Sequence, residues 1–364
     1  MSRWILAVVA FGFTFASVRA DPKPLWEIDT VIDAKRRQEV RWITFAPDGK
    51  TLVAQIADAS KPQDDLYPIS LSVWDVATRK EKLNAKLGEQ GYVGGAIFSN
   101  ATTKTGSVLI AGKPSQEVRI ADGVKVLAKG LEGRSIGVWF NSDSSDSLWL
   151  FDRGIDGFSL SYGKTPPLAP DPKMVVRDEW LTTELPGDWS EDRPVVTVNS
   201  DLTRLAISSR SYRKLTLYNL AVDDKLKLTA VAAVLDGHKA SISTMRFSPD
   251  GNTLATGSWD TTVCLWDVTK ASKDWEPRAT ISAGKYTVIA LAFSPDGRTL
   301  AIATLDFRQA NLYFLDVTAG KVVASHRIDG ALMSVAYSPD GKTLVTGHDS
   351  ARVKVWDAEA LRNP

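Results

Sequence analysis

A short pattern of two apolar runs around a Pro-Asp-Gly turn recurs along this chain and limits its possible folds more than any other feature. Four clear copies begin at residues 45 (FAPDGKTLVAQI), 247 (FSPDGNTLATGS), 293 (FSPDGRTLAIAT) and 337 (YSPDGKTLVTGH). Three degenerate copies complete the series. The seven anchor residues of the copies are Phe45, Phe98, Phe140, Val198, Phe247, Phe293 and Tyr337. Self-similarity at a regular spacing predicts repeated units that bury their apolar faces against one another.

The periodicity inside each copy is two residues, which predicts strands joined by hairpins. In the turn, proline fixes φ, the aspartate can bond the backbone and glycine tolerates positive φ. Three strands are clear in each copy, and a weaker fourth follows, such as PRATIS at 277–282. We therefore predict an all-β fold, a seven-bladed β-propeller of four-stranded antiparallel sheets.

The two ends of the chain predict how the ring closes. The last copy stops at Trp356-Asp357, after its third strand, and LWEID at 25–29 has no blade of its own. We predict that this segment supplies the missing strand and pairs with the last blade. A disordered tail is the alternative, but Trp26 and Ile28 argue against it because such tails are seldom apolar.

Several short motifs of the fifth copy resemble the WD40 repeat. They are GH at 237–238, the SPDG turn, TGSWD at 256–260 and LWD at 265–267. VKVWD at 353–357 and YFLD at 313–316 match the end of the same motif, the latter with leucine in place of tryptophan. The resemblance covers nearly the whole chain after residue 20 and is weakest in the second and third copies.

The resemblance implies a structural hydrogen-bond network in the fifth copy. It would join His238, Thr256 or Ser258, Asp260 and Trp266 and tie the entry loop to the inner strands. His238 is then structural rather than catalytic. The seventh copy departs from the pattern, since it has Asp349 one position early and no GH pair.

The first twenty residues have the layout of a secretory signal peptide. Arg3 precedes an apolar run, and small residues lead to Ala20 at the expected cleavage site. We expect a signal peptide at 1–20 and the propeller at 21–364, in a protein exported to the periplasm or the extracellular space. An uncleaved anchor is the alternative, although the run is short for a membrane span.

Charge and cysteine content exclude some partners. The formal net charge is +1, and it becomes −1 once Arg3 and Arg19 leave with the signal. No basic face is evident, so we expect no nucleic-acid partner. The single cysteine, Cys264, lies in a predicted apolar strand. We expect it to be a small, buried hydrophobic residue. We expect no disulfide, no membrane span after signal cleavage, and a monomer.

No catalytic constellation stands out in the sequence. Only three histidines exist, and His238 is assigned to the network. In the seventh copy, His348 occupies the position that Ser258 has in the fifth copy, and it could form a similar internal hydrogen bond. His326 is expected to be solvated, on or beside an outer strand. We therefore expect no catalytic residues, no metal site and no cofactor.

One surface is a candidate for binding. In propellers, partners usually dock on the narrow face, which is formed by the entries to the first strands and the turns between the second and third strands. The entry positions, six and four residues before each anchor, include Glu39 and Ser243. The candidate residues at entries and turns are Trp259, Tyr92, Arg41, Arg134, Ile289, Leu305 and Met333. Such a mixture suits an interface core, and the alternative is a scatter of unrelated surface residues.

Two stretches break the repeat, at 57–68 and 163–192, and the second holds Trp180 and Trp189. They could form binding loops or fold back over a weak blade. The sequence thus favours an exported, non-catalytic scaffold that binds a protein or peptide. The alternative is a propeller enzyme, such as a lactone or sugar hydrolase, with carboxylates or a metal in its channel.

Overall fold

The computed structural model forms seven antiparallel sheets, which we number in chain order. The residues that it describes are 22–30, 37–60, 66–91, 101–102, 107–110, 116–119, 125–129, 134–140, 146–152, 158–164, 181–184, 194–209, 213–223, 225–230, 235–269, 276–305 and 309–363. The expected signal peptide at 1–20 lies outside them, as do Tyr92, Trp180, Trp189 and most of the insertion at 163–192.

The first three sheets hold the strands β2 to β13. The first sheet contains β2 (Gln38–Phe45), β3 (Thr51–Asp58), β4 (Leu66–Asp75) and β5 (Glu81–Gly91). The second contains β6 (Ala101–Thr102), β7 (Ser107–Ile110), β8 (Gln116–Arg119) and β9 (Lys125–Lys129). The third contains β10 (Arg134–Phe140), β11 (Asp146–Asp152), β12 (Phe158–Lys164) and β13 (Leu181–Glu184).

The remaining sheets hold β14 to β29 and the amino-terminal strand. The fourth contains β14 (Pro194–Val198), β15 (Arg204–Ser209), β16 (Lys214–Val222), β17 (Leu226–Ala230) and β18 (Leu235–Asp236). The fifth contains β19 (Ile242–Phe247), β20 (Thr253–Ser258), β21 (Thr262–Asp267) and β22 (Ala279–Ser282). The sixth contains β23 (Thr287–Phe293), β24 (Thr299–Leu305), β25 (Gln309–Asp316) and β26 (Lys321–Asp329). The seventh contains β27 (Leu332–Tyr337), β28 (Thr343–His348), β29 (Arg352–Asp357) and β1 (Trp26–Asp29).

The SPDG turns join the first two strands of their sheets through a small set of side-chain bonds. The Ser248 hydroxyl donates to the Asp250 carboxylate at 2.5 Å and accepts from the Thr253 backbone N–H at 2.9 Å. Asp250 also accepts from the Asn252 N–H at 3.0 Å, and Gly251 adopts a φ of 71° that suits glycine. The same bonds recur in the sixth and seventh sheets.

The amino-terminal segment occupies the place of a fourth strand in the seventh sheet. Trp26 pairs with Val355 and Asp29 with Arg352, in antiparallel register. The Leu25 N–H donates to the Val355 carbonyl at 2.7 Å, and the Thr30 N–H donates to the Ala351 carbonyl at 3.0 Å. The fourth strand of the fifth sheet makes the equivalent two bonds, from Arg278 to Leu265 and from Ala283 to Thr261. The predicted pairing is therefore present.

Neighbouring sheets pack through apolar clusters. One cluster joins the fourth and fifth sheets around Met245 and Trp266, and others join the third to the fourth, the fifth to the sixth, the sixth to the seventh and the seventh to the first. Gly257 leaves room for Val288 of the next sheet, and Gly347 leaves room for Val40 in the same way. The seventh sheet thus meets the first as the fifth meets the sixth, while the complete seven-bladed ring stays a prediction.

Three features differ from the expected pattern. The fourth sheet gains a fifth strand, because β18 pairs with β16. A short helix, α1 (Ala358–Arg362), follows the last strand and is capped by Asp357, whose side chain accepts from two backbone N–H groups. The prediction that His326 is solvated is wrong: it is buried, and its Nε2 lies 2.6 Å from the Leu361 carbonyl of this helix.

Candidate functional site

The fifth sheet contains a continuous hydrogen-bond network that starts at its entry loop. His238 Nε2 lies 2.7 Å from the Thr256 hydroxyl, which also accepts from the Trp266 indole N–H at 3.0 Å. His238 Nδ1 lies 3.2 Å from the Asp260 carboxylate, and this carboxylate accepts from the Lys239 backbone N–H at 2.6 Å. Ser258 takes a different part, since its hydroxyl accepts from the Asp260 N–H at 3.0 Å. The network ties the entry loop to two inner strands.

Burial sets the protonation of this network. It lowers the pKa of His238 below 6.5, and the nearby Asp260 opposes this effect without reversing it. Burial alone raises the pKa of Asp260, but hydrogen bonds from Thr262 and the Lys239 backbone outweigh it, so that pKa lies below 3.8. Neutral His238 therefore sits beside ionised Asp260 at neutral pH. Both side chains are occupied by structural bonds.

The single thiol lies beside this network and is buried, as predicted. Cys264 Sγ is 3.9 Å from His238 Nδ1 and 3.6 Å from the Thr280 hydroxyl. Burial raises the pKa of the Cys264 thiol to about 11. Because the thiolate is the reactive form of cysteine, the group is chemically inert at neutral pH.

The candidate binding residues lie at one end of the sheets, where the first strand begins and the second strand ends. The Trp259 N–H donates to the Ser241 carbonyl at 3.0 Å, and the Asp349 N–H donates to the Ala331 carbonyl at 3.1 Å. In three further sheets the residue at the entry position is also paired with the residue at the turn position. These pairs are Glu39 with Ala57, Arg134 with Asp152, and Thr287 with Leu305. Entry and turn positions therefore lie side by side along one rim, which we call the entry rim.

A β-bulge recurs just inside the entry rim. The register shifts between Val40 and Trp42, and at the equivalent positions of the third, fifth, sixth and seventh sheets. The extra residues at these bulges are Arg41, Ile136, Ser243, Ile289 and Met333. A bulge redirects the side chain of its extra residue. Each of these residues lies four positions before the anchor of its sheet, and the sequence pattern does not indicate the bulge.

The candidate residues differ in exposure. Trp259 is 52% exposed, which is high for a tryptophan. Leu305 and Met333 are half-buried, and Ile289 packs partly against the core between the sixth and seventh sheets. Arg134 begins strand β10, and Tyr92 falls outside the described part of the chain. The structure thus places Trp259, Arg41, Ile289, Leu305 and Met333 on or just inside one rim.

Two entry positions are buried instead of exposed. The Ser243 hydroxyl donates to the Gly257 carbonyl at 3.0 Å and to the Val288 carbonyl of the next sheet. Glu39 is buried because Arg37 and Arg41 each form an ion pair with it, both at 3.2 Å. Both are bonded within the sheets, so neither offers a free surface.

Asp349 is a rim residue that the sequence reasoning did not select. It occupies the register position of Trp259, exactly ninety residues later, and the same spacing separates the anchors of the two sheets. Burial raises the pKa of Asp349, and the nearby Glu39 raises it further while Arg37 lowers it. The rim therefore has an aromatic side chain at the fifth sheet and a charged cluster where the seventh sheet meets the first.

Within the described ranges, no group of three or more His, Cys, Asp or Glu side chains could hold a metal ion. No helix among the same residues is long and apolar enough to cross a membrane.

The fold and the repeat motifs agree with comparisons to known proteins. The family model WD40, described as WD domain, G-beta repeat, matches residues 230–267 and 320–357. These matches include the fifth-sheet network and the equivalent strands of the seventh sheet. The chain therefore contains WD40 repeats, and its fold is that of a WD40-repeat β-propeller.

Particular relatives match over part of the chain. It is 51% identical over 49 residues to guanine nucleotide-binding protein subunit beta-5b of Danio rerio, covering 14% of this chain and 12% of that protein. It is 39% identical over 133 residues to WD repeat-containing protein 88 of Homo sapiens, covering 35% of this chain and 26% of that protein. The matched segments span between 12% and 46% of the curated relatives' own lengths.

A solved structure matches over nearly the whole length. The β-propeller domain of Cps50 (Swd1) from Myceliophteria thermophila superposes with a TM-score of 0.63, covering 92% of this chain and 99% of that domain. The two sequences are only 13% identical, so the likeness concerns the fold alone.

Proposed function

We propose that this protein is an exported, non-catalytic propeller that binds a protein or peptide at its entry rim. The observation that carries the proposal is the exposure of Trp259, which stands 52% exposed at a turn whose backbone is bonded to the entry of its own sheet. An indole held on a rigid hairpin loses little conformational freedom on binding, and tryptophan is enriched among the residues that dominate interface energies.

The rim offers two kinds of contact. Trp259 and the half-buried Leu305 occupy equivalent turns of adjacent sheets and supply apolar surface. Arg41, whose Nε and Nη2 donate to Glu39 near Asp349, places a half-buried cation where the seventh sheet meets the first. Aromatic and arginine anchors surrounded by polar groups are the usual composition of an interface core and its rim. A partner with an apolar side chain and a nearby acidic group would complement both.

The comparisons support the class of function. The relatives include WD-repeat proteins and a protein whose name describes it as a subunit of a guanine nucleotide-binding protein. A subunit acts in contact with other chains, and a propeller with this repeat offers the same kind of rigid surface.

The test is capture of the partner from the exported fraction, followed by binding measurements with the purified partner. Trp259→Ala should weaken binding at least tenfold, because loss of an interface hot spot costs about 2 kcal/mol or more. Val323→Ala is the matched control, since Val323 is similarly exposed, at 50%, but lies on the outer strand β26. Unchanged binding by Trp259→Ala, with the melting temperature retained, would refute the rim assignment.

Export is tested separately. Expression of the full chain with a carboxy-terminal tag, followed by cell fractionation and amino-terminal sequencing, should find a mature protein that begins at Asp21. Recovery of the protein in the cytoplasm with Met1 or Ser2 as its first residue would contradict the export proposal and leave the rim assignment intact.

A further inference from the structure

The inner strand of the fifth sheet carries a cation at a position where most other described sheets have small side chains. This position immediately precedes the anchor residue of each sheet, and strand register aligns it across the molecule. It holds Thr44, Trp139, Thr197, Arg246, Ala292 and Ala336. Arg246 is the only charged residue among these six.

In the predicted ring the innermost strands line the axis, which would put these side chains beside a central channel. β19 is the first strand of its sheet and packs against β14 and β23, the first strands of its two neighbours. Thr44, Ala292 and Ala336 are half-buried, so solvent reaches this level of the first, sixth and seventh sheets, whereas Thr197 of the fourth sheet is buried.

Arg246 itself is half-buried and incompletely bonded. One terminal nitrogen, Nη1, donates to the carbonyl of the preceding residue, Met245, at 2.9 Å. An arginine has five N–H donors, and this is the only hydrogen bond that they make within the described ranges. No carboxylate among the described residues forms an ion pair with it. Burial lowers the pKa of the Arg246 guanidinium, and no charged neighbour is among the causes of that shift.

A partly buried charge without a counterion is costly, and an incoming anion offsets that cost. The fork of a guanidinium matches the paired oxygens of a phosphate, sulfate or carboxylate. We propose that Arg246 is the recognition element of a small-oxyanion site in the channel, at the end of the inner strands opposite the entry rim. The site is separate from the proposed protein-binding rim, and either can be correct without the other.

The experiment is a titration of the full chain with inorganic phosphate and, in a second arm, with succinate. Potassium chloride at equal ionic strength is the control for screening. At ten times its dissociation constant, the preferred anion should raise the melting temperature of the wild type by about 2 °C beyond chloride. The two arms distinguish a phosphate-like ligand from a carboxylate.

Arg246→Ala should abolish this shift, and it introduces the residue that the sixth and seventh sheets already carry at this position. Arg246→Gln retains more side-chain volume and serves if the alanine variant does not fold. Arg327→Ala removes a charge from an exposed site on β26 and should leave the shift unchanged. No anion-specific shift in the wild type, or an equal shift in the folded Arg246 variants, would overturn the proposal.

Discussion

The fifth and seventh sheets share a buried threonine–tryptophan hydrogen bond but differ in the histidine that contacts the threonine. In both, a threonine hydroxyl accepts from a buried tryptophan: Thr256 from Trp266 at 3.0 Å, and Thr346 from Trp356 at 2.9 Å. In the fifth sheet the histidine that completes the pair, His238, comes from the entry loop. In the seventh it is His348, two residues along the same strand, with Nε2 at 3.0 Å from the Thr346 hydroxyl.

The difference shows which parts of the repeat motif can be exchanged. The threonine–tryptophan pair is common to both sheets and fixes the core between neighbouring sheets. The histidine and Asp260 together pin the entry loop in the fifth sheet, and the seventh sheet has Ser350 at the position of Asp260. There the histidine bonds the threonine of its own strand, and within the described part of the chain it makes no hydrogen bond to a loop. Core packing and loop anchoring are therefore separable functions of the motif.

Truncation of the two tryptophans should give the largest effect. Trp266→Ala and Trp356→Ala each remove a fully enclosed indole, and we expect a loss of about 3–5 kcal/mol in the free energy of unfolding. Urea denaturation followed by circular dichroism measures both. A loss below about 1 kcal/mol in one variant alone would show that the two sheets do not share the same core unit.

The pH dependence of stability separates the two histidines. Burial, with smaller contributions from Lys354 and Arg352, lowers the pKa of His348 to about 3. Between pH 6.5 and about 3 the unfolded chain binds a proton at this histidine that the folded chain does not, so stability falls as pH falls. The expected contribution is roughly 1 kcal/mol for each pH unit in this window.

His348→Ser installs the residue that the fifth sheet has at this position and removes that part of the slope. The measurement is the free energy of unfolding at several pH values between 4 and 7, for the wild type and the variant. His238→Ser serves as the comparison and should remove a smaller part, because Asp260 opposes the fall in the His238 pKa. Equal slopes in the wild type and His348→Ser would contradict the assignment.

Removal of the shared hydroxyl should have an intermediate effect. Thr256→Val and Thr346→Val keep the side-chain shape but leave an indole N–H and a histidine without their partner, at a cost of about 1–3 kcal/mol each. Denaturant unfolding tests this, with Thr318→Val in an exposed turn as the control. If both buried variants behave like the control, the bonds contribute nothing to stability.

Exchange at the rim should have the smallest effect on stability. Trp259→Asp gives the fifth sheet the residue that the seventh has at the same turn, and we expect a change of about 0.5 kcal/mol or less. Calorimetry of the variant beside Trp266→Ala measures the contrast directly. A loss of several kcal/mol would mean that Trp259 supports the core, and the proposed binding role would then lose its basis.

Much of the architecture could be predicted from the repeat. Alternating apolar residues and the Pro-Asp-Gly turns indicate the strands, and an unmatched apolar segment near Trp26 indicates its pairing with the last sheet. The His238 network follows the resemblance to the WD40 motif residue by residue, and the structure adds that Thr256 rather than Ser258 joins the histidine to Trp266.

The remaining features depend on contacts that no local pattern encodes. The bulges in the inner strands change which side chains turn inward, and this change buries Ser243 against the next sheet. His326 is buried because α1 covers it, and a helix of five residues is too short to show a periodic signal. Glu39 is buried by ion pairs with residues two positions away on either side, which composition does not predict.

The pairing of Trp26–Asp29 with the final strand has a consequence for biosynthesis. Translation releases the amino-terminal segment first, yet its partner, Arg352–Val355, is made more than three hundred residues later. The segment must leave the ribosome and stay unpaired until those later residues have emerged. The last sheet is therefore completed only after Arg352–Val355 has been made, and a nascent chain stalled before Arg352 keeps an unpaired apolar strand that a chaperone could hold.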